Sequence, residues 1–415
     1  MRVILSANLP RYYYAVLALQ EAGYLKRYIC AVGIKKENSA FIKLLPSYWQ
    51  KKLNGRQISG IASDRVYSIW LPELLQKGLT RIGLITHEQS NWLHDHLYDF
   101  FAAHLIQPCD IFHFVSPVGL YSAQKAKHNG SILICDVRTE HPDFQRNILI
   151  EEYSRLGIPL ELPGQLTEKK IKSEFDLTDY FIVGSNYVKR TFIDAGVEAG
   201  KIFIVPLGVD LKQFSPDSDQ KSNINNNHIV DEDTFRIIYA GQIIPRKGIH
   251  YLIKAFNALA IQKSELLLVG RIDKTMEPII NEATAQNPRI RTVGDIPKLS
   301  LHRYYCSSSV FVLPTLADSW GMVVLEAMAC GLPVIVTENT GSQEAVRNGV
   351  DGFIVPIRSV EALQEKLLLL YQQPGLRRVM GQAGRERVKD FTWERYGQRL
   401  LDVYRTIQTR ERGAR

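Results

Sequence analysis

The feature that most constrains this chain is the alternation of short β-rich runs with helical periodicity along most of its 415 residues. Such alternation predicts βα units, whose strands lie in parallel sheets covered by helices. Helices are predicted over 13–22, 120–128 and, at the end of the chain, 391–407. The predicted strands are 2–5, 111–115, 132–135 and 180–183 in the first half, and 236–240, 265–269, 310–313 and 333–337 in the second. We therefore expect an α/β protein.

The length predicts two or three domains of about 100–200 residues each. A polar stretch over 215–233, rich in Asp, Asn, Ser and Lys, has the composition of an exposed loop and follows the turn at 208–210. We place the domain boundary near 206–212. The predicted division is residues 1–207, residues 208–390, and a final segment, 391–415, that packs back on the first domain.

The formal net charge of +8 indicates an anionic partner, which could be a nucleic acid, an anionic membrane or a phosphorylated small molecule. Between Lys26 and Arg56 eight basic residues stand against the single acid Glu37, with aromatic and aliphatic residues interleaved. Such a segment could lie in a membrane interface or form a solvated helix face over a small core. No RNP, zinc-finger or helix-turn-helix signature favours nucleic acid.

Several features that the sequence lacks indicate the cellular compartment. The sequence contains no run of 18 or more apolar residues, so no membrane-spanning helix is predicted. The short apolar run at the N-terminus is typical of a strand rather than a secretory signal. Five widely spaced cysteines without a CxxC pair favour a reduced compartment and argue against a zinc site. Two Asp-x-Asp triplets, 217–219 and 231–233, fall in the polar stretch. We expect a cytoplasmic protein that needs no metal ion and no permanently bound cofactor.

The first segment with chemical character follows the predicted strand 310–313. A loop leads to Trp320-Gly321-Met322, where a helix is predicted to begin. Ligands of open parallel sheets bind beyond the carboxyl ends of the strands, and a helix N-terminus there offers free N–H groups to an anion. Glu326 lies five residues further on, about 7.5 Å along the helix, which suits the distance from a diphosphate to its ribose. The alternative is a helix with an acid paired to a neighbouring cation.

The second segment, 241–248, follows the predicted strand 236–240 and precedes an apolar-periodic helix. It holds Arg246 and Lys247, two adjacent cations well placed to neutralise phosphates. The alternative is an ordinary βα loop with solvent-exposed charges.

Together these segments resemble the C-terminal domain of family 4 (group 1) retaining glycosyltransferases of the GT-B fold. Residues 318–333 match the E-x7-E donor motif of that family, 341–356 continue the match, and 183–186 with 204–214 resemble its inter-domain signature. The resemblance is strong from about residue 180 to 405. It implies two Rossmann-like, doubly wound parallel-sheet domains facing across a cleft. It also implies transfer of a sugar from a nucleotide sugar to a glycan or lipid-linked acceptor, as in polysaccharide or cell-envelope glycan synthesis.

The resemblance also implies roles for particular residues. Lys247, helped by Arg246, would hold the donor diphosphate, Asp318 would contact the transferred sugar, and Glu326 would bind the ribose. His141 would be the active-site histidine of the N-terminal domain. The other implied donor-binding residues are Gln242, Arg271, Asp295, Ile296, Trp320, Gly321, Met322 and Val323. The candidates for the acceptor side are Arg138 and His113.

Three departures from the family pattern stand out. Asp318 takes the place of the usual Glu, Gln242 takes the place of an Arg, and the N-terminal glycine-rich loop is missing, with Arg11 as a candidate replacement. Two other functions remain open: an epimerase-like GT-B enzyme, or a member that binds the donor without transferring it. A dinucleotide-binding protein is disfavoured because residues 1–35 hold only Gly23 and Gly33, not a G-x-G-x-x-G run.

Overall fold

The computed structural model describes residues 1–8, 12–31, 34–35, 57–58, 60–81, 86–160, 165–216 and 234–413. Within these ranges the chain forms two large sheets and a small two-stranded one, and every strand pairing is parallel. The predicted α/β architecture with parallel sheets is therefore confirmed. Arg11, most of the basic segment and both Asp-x-Asp triplets lie outside the described residues.

The first large sheet belongs to the N-terminal part of the chain. Its strands are β1 (Val3–Ala7), β2 (Leu25–Cys30), β5 (Val66–Ser68), β6 (Ile111–Val115), β7 (Ile132–Asp136), β8 (Tyr180–Val183) and β9 (Ile202–Ile204), while β3 (Ile34–Lys35) and β4 (Gln57–Ile58) form the small sheet. The order across the large sheet is β5-β2-β1-β6-β7-β8-β9. This is the order of a doubly wound domain, in which the chain reverses direction between β1 and β6.

The second large sheet repeats this plan. Its strands are β10 (Phe235–Ala240), β11 (Ser264–Val269), β12 (Ile290–Gly294), β13 (Val310–Leu313), β14 (Val334–Thr337) and β15 (Gly352–Val355). Their order is β12-β11-β10-β13-β14-β15. Every residue of the central strand β10 is buried, as expected for a parallel strand covered by helices on both faces. The chain reverses between β10 and β13, which pair through Ile237–Val310 and Ile238–Phe311.

Helices connect these strands. The helices before the second sheet are α1 (Tyr13–Glu21), α2 (Leu71–Arg81), α3 (His87–His104), α4 (Leu120–His128), α5 (Pro142–Leu156), α6 (Gln165–Leu177) and α7 (Asn186–Asp194). Those after its first strand are α8 (Ile249–Asn257), α9 (Glu277–Gln286), α10 (Lys298–Cys306), α11 (Met322–Ala329), α12 (Val360–Gln372), α13 (Pro374–Arg387) and α14 (Trp393–Gly413). Among the residues that the structure describes, none of these helices combines the length and apolar character needed to cross a bilayer.

The chain passes between the two sheet domains at two places that touch each other. The amide of Val209 donates to the carbonyl of Phe391 at 2.8 Å. A Cβ on Gly208 would lie 2.5 Å from the backbone nitrogen of Trp393, so only glycine fits there. Beyond this crossing α14 returns to the N-terminal domain, where the Trp393 ring stacks on Tyr14 with 4.8 Å between centroids.

Candidate active site

The two segments singled out from the sequence follow β10 and β13, the neighbouring strands at the switch point of the second sheet. After β10 the chain forms a short 3₁₀ turn, Pro245–Lys247, and α8 then begins. The residue between them, Gly248, has φ 65°, and a Cβ there would lie 2.1 Å from the carbonyl oxygen of Pro314. Glycine therefore lets the cation-bearing turn lie directly against the loop that follows β13.

The loop after β13 leads into α11 through Gly321, whose φ of 63° is in the left-handed region. A Cβ at this position would approach Leu313, Ser342 and Thr340 to between 2.9 and 3.1 Å. No side chain caps α11, so its first N–H groups, beginning at Met322, are available to a ligand.

An ion pair joins the two loops. The Nζ of Lys247 contacts Oδ2 of Asp318, and the guanidinium of Arg246 donates to the carbonyl oxygen of Ala317. Burial lowers the pKa of Lys247, and the Asp318 carboxylate offsets part of that effect. Burial by itself would raise the pKa of Asp318, but Lys247 and Arg246 outweigh it and hold that pKa below its ordinary value. The carboxylate is therefore ionised at neutral pH and balances one cation.

A cavity of about 280 Å³ lies over these loops, and both domains line it. Its C-terminal wall includes predicted donor-binding residues: Gln242, Arg246, Lys247, Asp318, Trp320, Gly321, Met322 and Val323. Its N-terminal wall includes Arg138 and Gly184. The hydroxyl of Ser319 donates to the carbonyl oxygen of Arg138, so the two walls also touch. Two cations, one acid and a helix N-terminus thus surround a space suited to an anionic ligand.

Glu344 makes a further contact between the domains. Its carboxylate accepts from the side-chain amide of Asn186 and from the backbone N–H of Tyr187, both at 3.1 Å. These groups lie at the start of α7, where a carboxylate is stabilised by free amides and the helix dipole.

Comparison with known proteins relates part of this arrangement to a family. Residues 220–387 match the family model described as "Glycosyl transferases group 1". This segment is similar to the group 1 glycosyl transferases.

Two curated relatives and one solved structure extend the comparison. A D-inositol 3-phosphate glycosyltransferase of Kribbella flavida is 33% identical over 51% of this chain and 52% of its own length. A GDP-mannose-dependent monoacylated alpha-(1-6)-phosphatidylinositol monomannoside mannosyltransferase of Corynebacterium glutamicum is 30% identical over 58% of this chain and 65% of its own length. The first match thus spans about half the length of that relative.

The solved structure is Anabaena Alr3699/HepE in complex with UDP-glucose, with a TM-score of 0.67 at 13% identity, covering 98% of this chain and 100% of that one. At this identity the likeness concerns the fold alone. Together with the two doubly wound sheets, it confirms the predicted GT-B fold.

Four other predicted donor-binding residues are not among those that line the cavity: Arg271, Asp295, Ile296 and Glu326. Glu326 is buried on α11, where Oε1 contacts Nζ of Lys298 at 3.0 Å. Burial raises the pKa of Glu326, and Lys298 opposes part of that effect. Arg271 and Asp295 are exposed near the ends of β11 and β12, and Ile296 is half-buried in the same region. Their donor-binding roles stay predictions.

His141 and His113 are not among the residues that line the cavity. The ring of His141 caps α5, accepting from the N–H of Asp143 at 3.4 Å, and it packs against Phe192. The ring of His113 is fully buried and shares a hydrogen bond of 2.5 Å with the hydroxyl of Tyr404. The structure gives both histidines contacts inside the protein and does not bring them to the cavity.

Arg138 does line the cavity, and its guanidinium is held from behind. Nε donates to the hydroxyl of Tyr12 at 2.7 Å, and Nη2 contacts Asp136 and the hydroxyl of Tyr396. Nη1 is buried without a hydrogen-bond partner. Because Tyr396 belongs to α14, the final helix helps to fix a residue of the cavity wall.

Two further buried groups of the N-terminal domain are not among the site residues predicted from the sequence. Both carboxylate oxygens of Glu140 and the hydroxyl of Tyr187 are buried without a hydrogen-bond partner. Glu140 immediately precedes His141 in the sequence. No spacing rule marks it, because the residues whose charges act on it lie in the other domain.

Proposed function

We propose that this chain is a retaining glycosyltransferase of family 4. It would move a sugar from a nucleotide sugar to a glycan or lipid-linked acceptor, in polysaccharide or cell-envelope glycan synthesis. The observation that carries the proposal is the meeting of Arg246 and Lys247 with the open N-terminus of α11 at the switch point of the second sheet. Phosphate groups are bound at such places.

The donor would enter with its diphosphate between the cations and the amides of Gly321, Met322 and Val323. Lys247 would exchange its contact with Asp318 for the diphosphate, which leaves the Asp318 carboxylate free to accept from sugar hydroxyls. Glu326 would reach the ribose once Lys298, whose side chain is 56% exposed, moves aside. No metal ion is required, because Arg246 and Lys247 supply the positive charge.

In the reaction the bond between the anomeric carbon and the diphosphate oxygen breaks, and its electron pair leaves with the diphosphate. Arg246, Lys247 and the helix amides stabilise the charge that grows there. The acceptor hydroxyl attacks the same face of the sugar and gives its proton to the departing phosphate oxygen, so the configuration is retained. This step needs no separate base from the protein.

Two observations on other proteins support the choice of substrates. The two curated relatives are named for glycosyl transfer to an inositol phosphate and to a phosphatidylinositol mannoside. The Anabaena protein of similar fold was solved with UDP-glucose. The donor sugar and its nucleotide are best found by thermal shift, because a bound donor raises the melting temperature.

Replacing Lys247 with Ala tests catalysis. We expect turnover of the donor to fall by about a hundred-fold or more, since electrostatic stabilisation of a leaving group contributes on that scale. Lys254→Ala on α8, an exposed lysine of the next turn, is the matched control and should keep wild-type turnover. Unchanged turnover in Lys247→Ala would count against the site. Binding of a nucleotide sugar without any turnover by the wild type would favour a non-catalytic donor-binding protein.

The proposal includes peripheral contact with an anionic membrane, at the cytoplasmic face. Four apolar side chains at the start of α2 are exposed by 39–56%: Trp70, Leu71, Leu74 and Leu75. Anionic lipid suits a chain of net charge +8. We expect binding to phosphatidylglycerol vesicles and none to phosphatidylcholine vesicles. Neutralising Lys35, Lys36, Lys51 and Lys52 should weaken binding to phosphatidylglycerol vesicles. Unchanged binding would contradict this contact.

A further inference from the structure

Two residues that line the cavity carry a buried N–H group without a hydrogen-bond partner among the described residues. These groups are Nη1 of Arg138, from the N-terminal domain, and Nε1 of Trp320, from the C-terminal domain. The Arg138 side chain is 10% exposed, and Trp320 is 2% exposed. A buried donor without an acceptor costs stability, so two such donors at one cavity indicate that a ligand supplies the acceptor oxygen.

The two donors lie where the walls of the cavity meet. Ser319, which precedes Trp320 in the chain, donates its hydroxyl to the carbonyl oxygen of Arg138. The Trp320 side chain packs at the carboxyl end of β8, because a Cβ on Gly184 would lie 3.7 Å from the Cβ of Trp320. The contact between the domains therefore holds Arg138 and Trp320 next to each other at the cavity.

The loop that contacts Arg138 also holds the cations of the predicted diphosphate site. In the segment 317–319 the first residue accepts from Arg246, the second pairs with Lys247 and the third donates to Arg138. All three cations line the same cavity. Three consecutive residues thus connect the cation of the N-terminal wall with the two cations of the C-terminal wall.

The C-terminal wall does not balance a diphosphate by itself. Arg246 and Lys247 carry two positive charges and Asp318 carries one negative charge, which leaves one positive charge. The diphosphate of a nucleotide sugar carries a negative charge on each phosphate. A guanidinium is well suited to the remaining phosphate oxygens, because its planar N–H groups can donate to them in parallel.

The contacts behind Arg138 orient its guanidinium. Nε donates to the hydroxyl of Tyr12 at 2.7 Å, and Nη2 contacts Asp136 and the hydroxyl of Tyr396. Nη1 is the nitrogen that these contacts leave for a ligand. Asp136 is fully buried and offsets the charge of Arg138, so we expect the guanidinium to contribute mainly a directed hydrogen bond.

We propose that Arg138 and Trp320 donate hydrogen bonds to the diphosphate of the donor, so that the N-terminal domain helps to hold the leaving group. This inference rests on the proposed function, since it assumes that a nucleotide sugar occupies the cavity. Arg246, Lys247 and the open end of α11 would bind the diphosphate from the C-terminal side. A bound diphosphate would then connect the two domains.

The experiment measures binding by calorimetry for three pairs of ligands: UDP with UDP-glucose, GDP with GDP-mannose and ADP with ADP-glucose. In Arg138→Gln the affinity for the pair that binds the wild-type chain should fall by about ten-fold or more, the value of a hydrogen bond to a charged group. The loss should be equal for the nucleoside diphosphate and its nucleotide sugar, because both carry the diphosphate.

Trp320→Phe removes the second donor and leaves the contacts of Arg138 in place. It keeps an aromatic ring beside Phe391 and lacks the indole N–H. Both affinities should again fall equally, by about three- to ten-fold. Arg190→Gln, at an exposed site on α7, is the matched control for Arg138→Gln and should change neither affinity.

A loss confined to the nucleotide sugar would place Arg138 at the sugar and overturn the inference. Unchanged affinity for both ligands in either variant would equally overturn it, and a raised KM for the acceptor would then place Arg138 on the acceptor side. If Arg138→Gln does not fold because Asp136 is left unpaired, Trp320→Phe alone decides. If none of the six nucleotides binds the wild-type chain, the proposed function itself fails, so the two failures are distinguishable.

Discussion

Two buried glutamates of the N-terminal domain, one just before α5 and one within it, differ in their hydrogen bonding. Glu152 is fully buried and accepts from Nε2 of His250 at 2.7 Å, the hydroxyl of Tyr251 at 2.9 Å and Nε of Arg358 at 2.8 Å. Glu140 has no such partner. The same residue type at the same domain interface is thus saturated with hydrogen bonds at one position and left unpaired at the other.

Their protonation follows these surroundings. Burial alone would raise the pKa of Glu152, but hydrogen bonds from His250, Arg358 and Tyr251 outweigh it, and the pKa lies below its ordinary 4.5. Burial raises the pKa of Glu140 above 4.5, and Arg246 opposes only part of the effect. Glu152 therefore stabilises the contact between the domains, whereas the burial of Glu140 without hydrogen-bond partners lowers the stability of the protein.

Arg358 shows how firmly the Glu152 contact is built. It is the one non-glycine residue with positive φ, 63°, among those that the structure describes, and its guanidinium also contacts Glu151. A left-handed conformation costs an ordinary residue about 1 kcal/mol or more. The ion pairs with α5 offset that strain.

The largest effect is expected at the saturated glutamate. Glu152→Ala leaves the buried His250 without its acceptor and Arg358 with Glu151 alone, so the free energy of unfolding should fall by about 3–5 kcal/mol. Urea denaturation measures it, and Glu198→Ala on the surface is the control. A loss below about 1 kcal/mol, the usual value of exposed pairs, would show that Glu152 does not fasten the interface.

The next effect has the opposite sign. At a pH above the raised pKa of Glu140, Glu140→Gln removes a buried charge without a hydrogen-bond partner, so the free energy of unfolding should rise by about 1–3 kcal/mol. A raised pKa means that the ionised form costs stability, and this cost disappears as the pH falls through the raised value towards 4.5. The advantage of Glu140→Gln should therefore shrink on acidification.

Glu152 should behave differently along the same pH scale. Because its pKa is lowered, its contribution is present above 4.5 and is lost as the pH falls below that value. Urea denaturation of the wild type, Glu140→Gln and Glu152→Gln at a series of pH values separates the two. If both differences respond over the same pH range, the comparison between the glutamates is wrong.

The smallest effect is expected at Tyr187. Its hydroxyl is buried without a hydrogen-bond partner, so Tyr187→Phe should not lower the free energy of unfolding and should raise it by about 1 kcal/mol at most. A loss above about 1 kcal/mol would mean that the hydroxyl has a partner inside the protein, because that is the value of a typical buried hydrogen bond.

Much of the fold could be predicted from local sequence. The predicted strands at 111–115, 180–183 and 310–313 have the bounds that the structure shows for β6, β8 and β13. The helix predicted over 120–128 is likewise α4. The three strands are short apolar runs, and the helix is followed by a clear stop signal. Local signals of this kind predict an element without knowledge of its tertiary contacts.

Only part of the candidate site could be predicted from the sequence. The cation turn and the Gly321 helix start were predicted because each follows a strand directly, and a parallel sheet brings strand ends to one edge. The family resemblance implies an active-site role for His141, and in the structure its ring caps α5 beside Phe192. Its neighbour Glu140 carries no motif, yet its carboxylate is buried without a hydrogen-bond partner.

The alternation of strands and helices, the two loops at the strand ends and the cations they carry follow from local sequence, because these features depend on neighbours along the chain. Which buried polar groups are paired depends on the folded chain, since Glu152 meets His250 98 residues away and His113 meets Tyr404 291 residues away. Burial and pairing depend on contacts between distant segments, and those contacts, rather than residue type, set whether a buried carboxylate stabilises the protein or lowers its stability.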